Sequence, residues 1–449
     1  MINIKVGVIS LGCAKNTVDT EMMMGILKRD GFEFVSDETQ ADVMIINTCG
    51  FIQDAKQESL DVIFETARLK MQGRLKGIVV TGCLSERYKA LLFEQIPEAD
   101  VFLGTENYHQ ISDAVRTAYD KKRAMMFDDR NIDYLVKERV LATYPHSAYI
   151  KIAEGCNNRC SYCAIPMIRG RYRSRTIESI VEEAKFLVKI GVKEITLIAQ
   201  DTTKYGYDLY GEYRLSELLK TVANVEGVVW LRVLYAYPEN ITDEMIETIA
   251  NTPNICNYID MPIQHFSDNV LKTMNRKSSR QSVNELIKKI RDHYSDMVLR
   301  TTVMVGFPGE TKKDFEILRK DVEQAQFDRL GCFMFSKEED TPAYKMKETV
   351  SAKQKQKRHE QIMAMQAEIS LKRNKERVGQ TYQVLIDEYD ADIYMYIGRS
   401  YAFAPESDGK IYITSEEPLE IGSFVSAIVT DAEYHDLMAR VDTSERRNG

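Results

Sequence analysis

Three short β-rich runs near the start of the chain, "VGVISLGC", "DVMIINTC" and "GIVVTGC", each end in a cysteine: Cys13, Cys49 and Cys83. Between them, "TVDTEMMMGILKRDG" and "QESLDVIFETARLKM" space their apolar residues at the helical period. Such alternation predicts a parallel sheet covered by helices. In an open parallel sheet the carboxyl ends of the strands share one edge, and ligands bind there. Three cysteines far apart in sequence are therefore expected to meet in space. A buried thiol used as a small apolar residue explains one of them. The same residue closing three strands points to a shared metal site.

The alternation stops over residues 121–145, a charged and irregular stretch that reads as a linker, and resumes at "SAYIKIAEGC". Strand-like runs follow at "EITLIAQD", "VVWLRVLYAYP", "NYIDMPIQ", "LRTTVMVGFPG" and "RLGCFMFS", with helical stretches between them. Six βα units in a row predict a curved, partial barrel whose working end is the carboxyl end of its strands. A polar helix over roughly 351–378 leads into turn-punctuated runs such as "QTYQVLIDEY" and "GKIYIT", which predict a small antiparallel β-barrel. The expected fold class is α/β, in three parts: residues 1–120, 146–378 and 379–443.

At 449 residues the chain is too long for one core. No apolar run approaches the ~18 residues of a membrane span, and "MINIKVGVIS" has no basic leader. A cytoplasmic protein with no membrane partner is expected. There, eight cysteines read as metal ligands or core residues rather than disulfides. Cys256 and Cys332, on separate strands, read as core.

"EGCNNRCSYCAIP" sets Cys156, Cys160 and Cys163 at C-x3-C-x2-C spacing in the loop after the first barrel strand. Thiolates suit zinc or iron–sulfur clusters. A structural zinc site would close with a fourth ligand, and the candidates, Cys256, Cys332 and His265, are remote in sequence. A cubane cluster normally takes four cysteines. With three, one iron stays open to a cofactor or substrate.

This motif, with Tyr162 before its last cysteine and a βα barrel behind it, resembles the radical S-adenosylmethionine superfamily. The resemblance implies a 4Fe-4S cluster whose open iron is chelated by S-adenosylmethionine, and reductive cleavage of that cofactor to a 5′-deoxyadenosyl radical. It also implies that Tyr162 lies along the adenine and that Gln200 and Asp201, in "AQD", approach the methionine amino group. Gly306, Pro308 and Gly309, in "VGFPGET", would let backbone come close to the cofactor. Ordinary loop capping and an ordinary turn explain these residues equally well, and a structural role suits His265 best. A three-cysteine domain before the barrel and a small β domain after it resemble the methylthiotransferases over essentially the whole chain. In that family Cys13, Cys49 and Cys83 would hold a second 4Fe-4S cluster, and the last domain would be TRAM-like. An electron donor of low potential and a sulfur source are implied.

Two branches of the family compete. One modifies an adenosine in tRNA; the other modifies the β-carbon of an aspartate in protein twelve of the small ribosomal subunit. "SLGCAKNTVDTE", "NTCGFIQDAKQES", "IAQDTTKYG" and "APESDGKIYI" resemble the ribosomal-protein branch; the tRNA branch has "GCQMN" at the first cysteine. Charge argues the same way. Residues 379–442 hold 3 basic and 13 acidic side chains, 3 − 13 = −10, whereas the whole chain is −8. Such a domain repels phosphate and attracts a basic protein. A soluble acidic surface with no partner, and an iron–sulfur ribosome-binding protein without turnover, stay open at this point.

Overall fold

The computed structural model describes residues 4–127 and 139–444. Residues 128–138 of the expected linker lie outside the described residues.

The first sheet is parallel, in the order β2-β1-β3-β4-β5-β6. Its strands are β1 (Lys5–Ser10), β2 (Glu33–Phe34), β3 (Val43–Thr48), β4 (Gly77–Gly82), β5 (Val101–Leu103) and β6 (Ala124–Met126). β3 and β4 are buried at every residue, as central strands covered on both faces must be, and so they read as unbroken apolar runs. Helices α1 (Ala14–Arg29) and α4 (Ile111–Tyr119) cover one face with Met23, Ile26, Ala114 and Val115. α2 (Gln53–Met71) and α3 (Cys83–Gln95) cover the other with Ile63, Ala67, Leu84 and Leu92. β6 falls within the stretch expected to be linker. Three residues are too few for a period to register, and the preceding "DKKR" masks them.

Six strands build the second part: β7 (Ser147–Lys151), β10 (Glu194–Ile198), β11 (Trp230–Val233), β12 (Tyr258–Asp260), β13 (Val298–Val305) and β14 (Arg329–Met334). A two-residue hairpin of β8 (Ala153–Glu154) and β9 (Arg173–Ser174) frames the cysteine loop. β7-β10-β11 and β12-β13-β14 are parallel triplets joined by a bridge between Leu231 and Ile255. Together they form an open arc, the partial barrel the sequence predicts.

The exit helix Ala352–Lys375 starts in a capping box of Ser351 and Gln354. Asp328 ties it to the barrel by accepting from Arg291 at 2.8 Å, Arg373 at 3.2 Å and Arg377 at 2.9 Å. Burial works to raise this carboxyl's pKa, but the three guanidiniums overcome it and hold it well below the usual range. A depressed folded-state pKa stabilises above the unfolded value of about 3.9, and that stability is lost as pH falls through the folded value. Asp328→Asn is therefore expected to cost about 3 kcal/mol at neutral pH, because it leaves the buried Arg377 and the half-buried Arg291 and Arg373 without their carboxylate. Urea midpoints measured down a pH series should show the gap between variant and parent closing below about pH 4.

The last part is a closed barrel, β15-β16-β17-β19-β18, of β15 (Thr381–Asp390), β16 (Met395–Arg399), β17 (Ile411–Thr414), β18 (Phe424–Ala432) and β19 (Leu437–Val441). Four pairings are antiparallel, but β17 and β19 run parallel. A closed ring with an odd number of strands cannot alternate direction throughout, so the purely antiparallel barrel expected from sequence gives way at one seam.

This barrel packs at the amino ends of the second part's strands. Arg399 bonds Glu194 at 2.6 Å, Trp230 meets Phe424 edge-on at 4.7 Å, and Tyr258 donates to Asp408 at 2.6 Å. Ala402, Phe403 and Ala404 share a core with Tyr149, Trp230, Leu234 and Tyr258.

Candidate functional site: two cysteine triads at one edge

Cys13 is the N-cap of α1, Cys49 follows β3 directly, and Cys83 opens α3 after β4. Since β1, β3 and β4 are neighbours in register, the three loops leave one sheet edge side by side. Their glycines show how closely they pack. A Cβ on Gly12 would lie 2.9 Å from Cys49 Cβ, and one on Gly50 would lie 2.7 Å from the Leu84 backbone. Cys13 and Cys83 both bear electrostatically on Cys49.

The second triad occupies the loop between the β8–β9 strands. Cys156 and Cys160 are buried and Cys163 is half-buried, and the thiols influence one another. Asn158, between the first two, donates its backbone N–H to Cys156 Sγ at 3.5 Å and its amide to Asp201 Oδ2 at 2.8 Å. Tyr237 Oη lies 3.9 Å from Cys160 Sγ, and Arg276 stacks over the Tyr237 ring at 4.1 Å.

Burial pushes the Cys49 thiol up to about 12 and the Cys156 thiol to about 11, and raises Cys83 and Cys163 as well. Without metal these thiols are neutral near pH 7, and metal binding must release their protons. Among the described residues no three Cys, His, Asp or Glu side chains converge tightly enough for one ion. Cluster thiolates each bind a different iron, so they sit wider apart than the ligands of a single ion. Two triads made wholly of thiols suit iron–sulfur clusters, each with an iron left open.

Between the triads lies a buried ionic network that sequence reading missed. Arg169, just past the short helix α5 (Ile165–Ile168), is 1% exposed. It donates to Asp19 at 2.7 Å, Asn16 at 2.7 Å, Glu154 at 3.3 Å and Cys83 Sγ at 3.3 Å. Lys151 bonds Asp19, and reaches Glu154 at 2.9 Å. Asp19 comes from the first domain and Arg169, Lys151 and Glu154 from the barrel, so one charge cluster clamps the two parts across the cysteines. Only unusual polarity on an otherwise apolar α1 face could have flagged Asn16 and Asp19. Nothing in the local sequence marks Arg169.

The other expected site residues divide. Gln200 donates to Glu154 Oε1 at 2.9 Å, and its own Oε1 is buried without a partner, a vacant acceptor that suits an ammonium donor such as the methionine amino group. Asp201 caps the turn Thr202–Lys204 through Thr203 N at 3.1 Å while bracing Asn158, so it positions the cysteine loop. Tyr162 is buried with its ring edge-on to Phe307, 6.4 Å away. In the "VGFPGET" turn, Glu310 accepts from the N–H groups of Gly306 and Phe307. Pro308 has no N–H, and Gly309 donates to Thr349 Oγ1 at 2.9 Å. The turn's amides are thus engaged, and a ligand would meet its carbonyls and Cα surfaces. Gly306 has φ +76°, and a Cβ there would also strike the Lys355 side chain of the exit helix at 2.3 Å, so glycine suits the turn whether or not a ligand binds. His265 is fully buried; burial pushes it down to about 3, and its Nδ1 accepts from Ser267 N at 2.9 Å. It is a neutral structural residue. Cys256 and Cys332 are core residues, as expected.

Comparison with known proteins gives this geometry its context. Residues 5–104 match the model of the Uncharacterized protein family UPF0004, 150–322 the Radical SAM superfamily and 378–441 the TRAM domain. The chain is 48% identical to the ribosomal protein uS12 methylthiotransferase RimO of Thermoanaerobacter sp. (strain X514), over 96% of this chain and 99% of that one. The chain belongs to the ribosomal protein uS12 methylthiotransferase family. The RimO of Clostridioides difficile (strain 630) is 47% identical over 98% of this chain and 99% of its own length. Among solved structures, the radical S-adenosylmethionine methyltransferase TsrM of Kitasatospora setae shares the fold. It has a TM-score of 0.55 at 13% identity, covering 76% of this chain and 74% of that one. Membership makes the protein a radical SAM methylthiotransferase that uses S-adenosylmethionine and 4Fe-4S clusters. Among the described residues no helix is long and apolar enough to cross a membrane.

Proposed function

We propose that this enzyme methylthiolates the β-carbon of an aspartate in ribosomal protein uS12, in the cytoplasm, using a low-potential electron donor and a sulfur source. The observation that carries the reading is a pair of all-cysteine triads on two parts that one buried charge cluster joins, in a chain whose full-length relatives bear the uS12 name. Cys156, Cys160 and Cys163 would hold the cluster that binds S-adenosylmethionine, and Cys13, Cys49 and Cys83 the second. When bound, these groups supply hydrogen abstraction and sulfur delivery. The chain's own residues bury Cys83, Cys156 and Cys160 while leaving Cys13 exposed, brace the cysteine loop through Asp201 and Asn158, and present the Gln200 acceptor beside it. In this division residues 1–120 carry the second cluster, 146–378 the radical chemistry and 379–443 the recruitment of substrate.

Recruitment acts at a distance. The acidic barrel sits at the amino ends of strands whose carboxyl ends carry the chemistry. A five-residue strand spans about 17 Å, so the barrel's charge steers and tethers a basic partner and cannot align the target side chain. Two details refine the test. Asp387 is buried in a pair with Arg399 at 2.7 Å, so it is no part of the attracting surface. Deleting the domain would strip Ala402, Phe403 and Ala404 from a shared core, so its loss would disturb the barrel, contrary to what its separate sequence character suggests. The clean variant reverses the exposed acids Asp392, Glu416, Glu417 and Glu420 to lysine. It is expected to slow uS12 association about tenfold at low salt, with the difference fading as the Debye length shrinks below about 10 Å. Stopped-flow binding across a salt series checks it.

The function itself is tested by supplying the reconstituted enzyme with uS12 and with tRNA and analysing both by mass spectrometry. A methylthio group on the uS12 aspartate is expected. Its appearance in tRNA instead would restore the nucleic-acid branch.

A further inference from the structure

Lys15 stands two residues after Cys13, in the first turn of α1, and only 8% of it is exposed. Its ammonium lies 3.3 Å from the ring centroid of Tyr235. Among the described residues it has no hydrogen bond and no ion pair. Asp19, one turn further along α1, is already engaged by Lys151 and Arg169. The first turn of α1 contains no acidic residue, and Cys13 makes no side-chain capping bond.

This is a poor place for a cation on structural grounds alone. The N-terminus of a sixteen-residue helix carries positive partial charge and disfavours lysine. Burial without a carboxylate adds a desolvation penalty. A cation–π contact returns about 0.5–2 kcal/mol, and a methionine of similar reach would pack on the ring with neither penalty. A buried ammonium held this way suits an incoming anionic group.

Its other wall is strained. Tyr235 follows β11 at the mouth of the barrel with φ +64°, a left-handed conformation that aromatic residues rarely adopt. Two neighbouring strand ends impose it. Tyr235 N donates to Asp260 Oδ2 at 2.9 Å, and Tyr235 O accepts from Thr202 N at 3.1 Å. Strain of this kind gathers at ligand clamps. Lys15 comes from the helix that Cys13 caps and Tyr235 from the barrel mouth, so the ammonium lies where the two parts meet.

We propose that Lys15 receives the side-chain carboxylate of the target aspartate, with the Tyr235 ring as the platform that holds the ammonium in place. The inference rests on the uS12 reading and extends it to the specificity-determining residue. The chemistry fits the position. In aspartate the β-carbon is bonded directly to the carboxylate carbon, so a clamp on the carboxylate places the reacting C–H within one bond. An uncharged side chain of the same shape, asparagine, would leave the buried ammonium unpaired.

The test measures the affinity of the reconstituted enzyme for uS12 and for a uS12 in which asparagine replaces the target aspartate. The parent enzyme is expected to favour the aspartate form at least about tenfold, the range of a hydrogen bond to a charged group. Lys15→Met should bind both forms alike, and Lys15→Arg should keep part of the preference. Equal binding of both forms by the parent enzyme overturns the proposal without any variant, as does a preference that survives in Lys15→Met. Iron content and thermal midpoint report whether Lys15→Met folds; if it does not, the parent comparison and Lys15→Arg decide. Failure of the parent to bind or modify uS12 at all would overturn the uS12 reading. Modification of uS12 with a preference indifferent to Lys15 would overturn only the role of Lys15.

Discussion

Replacing Cys156, Cys160 and Cys163 together with alanine is expected to leave about half of the iron and to abolish cleavage of S-adenosylmethionine. Replacing Cys13, Cys49 and Cys83 is expected to leave about half of the iron too, but with cofactor cleavage retained and methylthio transfer lost. The expectation follows from where the triads sit. Three loops of one sheet hold the first set, and a single loop framed by β8 and β9 holds the second. Neither set borrows a ligand from the other, so each four-iron cluster should load without its neighbour. Iron and 5′-deoxyadenosine assays on anaerobically reconstituted protein check both halves. A triple variant that lost all of its iron while staying folded would sink the two-site model. The burial that raises Cys49, Cys83, Cys156 and Cys163 makes alanine a mild replacement: a neutral buried thiol behaves as a small hydrophobe, so the apo folds should survive.

The legible parts of this molecule were those that local sequence encodes. Cysteines closing "VGVISLGC", "DVMIINTC" and "GIVVTGC" reveal a shared edge because parallel strands must align their carboxyl ends. C-x3-C-x2-C is legible because one loop carries all three thiols. The alternation of strands and helices reveals the open arc for the same local reason. Arg169 stayed hidden because its partners, Asn16, Asp19 and Cys83, lie 153, 150 and 86 residues away. No local pattern records a contact of that range. Glu310 was overlooked beside the more conspicuous glycines of "VGFPGET", although its carboxylate organises that turn. The placement of the acidic barrel was illegible too. Net charge says what a domain attracts, but not which end of a barrel it occupies.

Arg169→Met is expected to destabilise the joined first domain and barrel by about 3–5 kcal/mol, the range for removing one partner from a buried charge cluster. Asp19 and Glu154 would keep Lys151 but lose the guanidinium, and Asn16 Oδ1 would lose its 2.7 Å donor. Arg169→Lys should not rescue. Two nitrogens of one planar guanidinium reach Asp19 and Asn16 at once, whereas an ammonium is a single compact donor. Arg171, exposed on the same loop, supplies the control, and Arg171→Met should change little. A second readout separates a clamp from mere packing. Arg169 places positive charge 3.3 Å from Cys83 Sγ, and hydrogen bonds and charge at cluster sulfurs set reduction potential. Its loss should make the first-domain cluster harder to reduce, while the cluster of Cys156, Cys160 and Cys163 should shift less because Arg169 makes no bond to those sulfurs among the described residues. Electrochemical titration of each triple-cysteine variant, with and without Arg169→Met, isolates one cluster at a time. An equal shift in both would mean that the substitution disturbs the fold at large. A shift confined to the first-domain cluster would show that the residue joining the two parts also governs when sulfur chemistry at that site can begin.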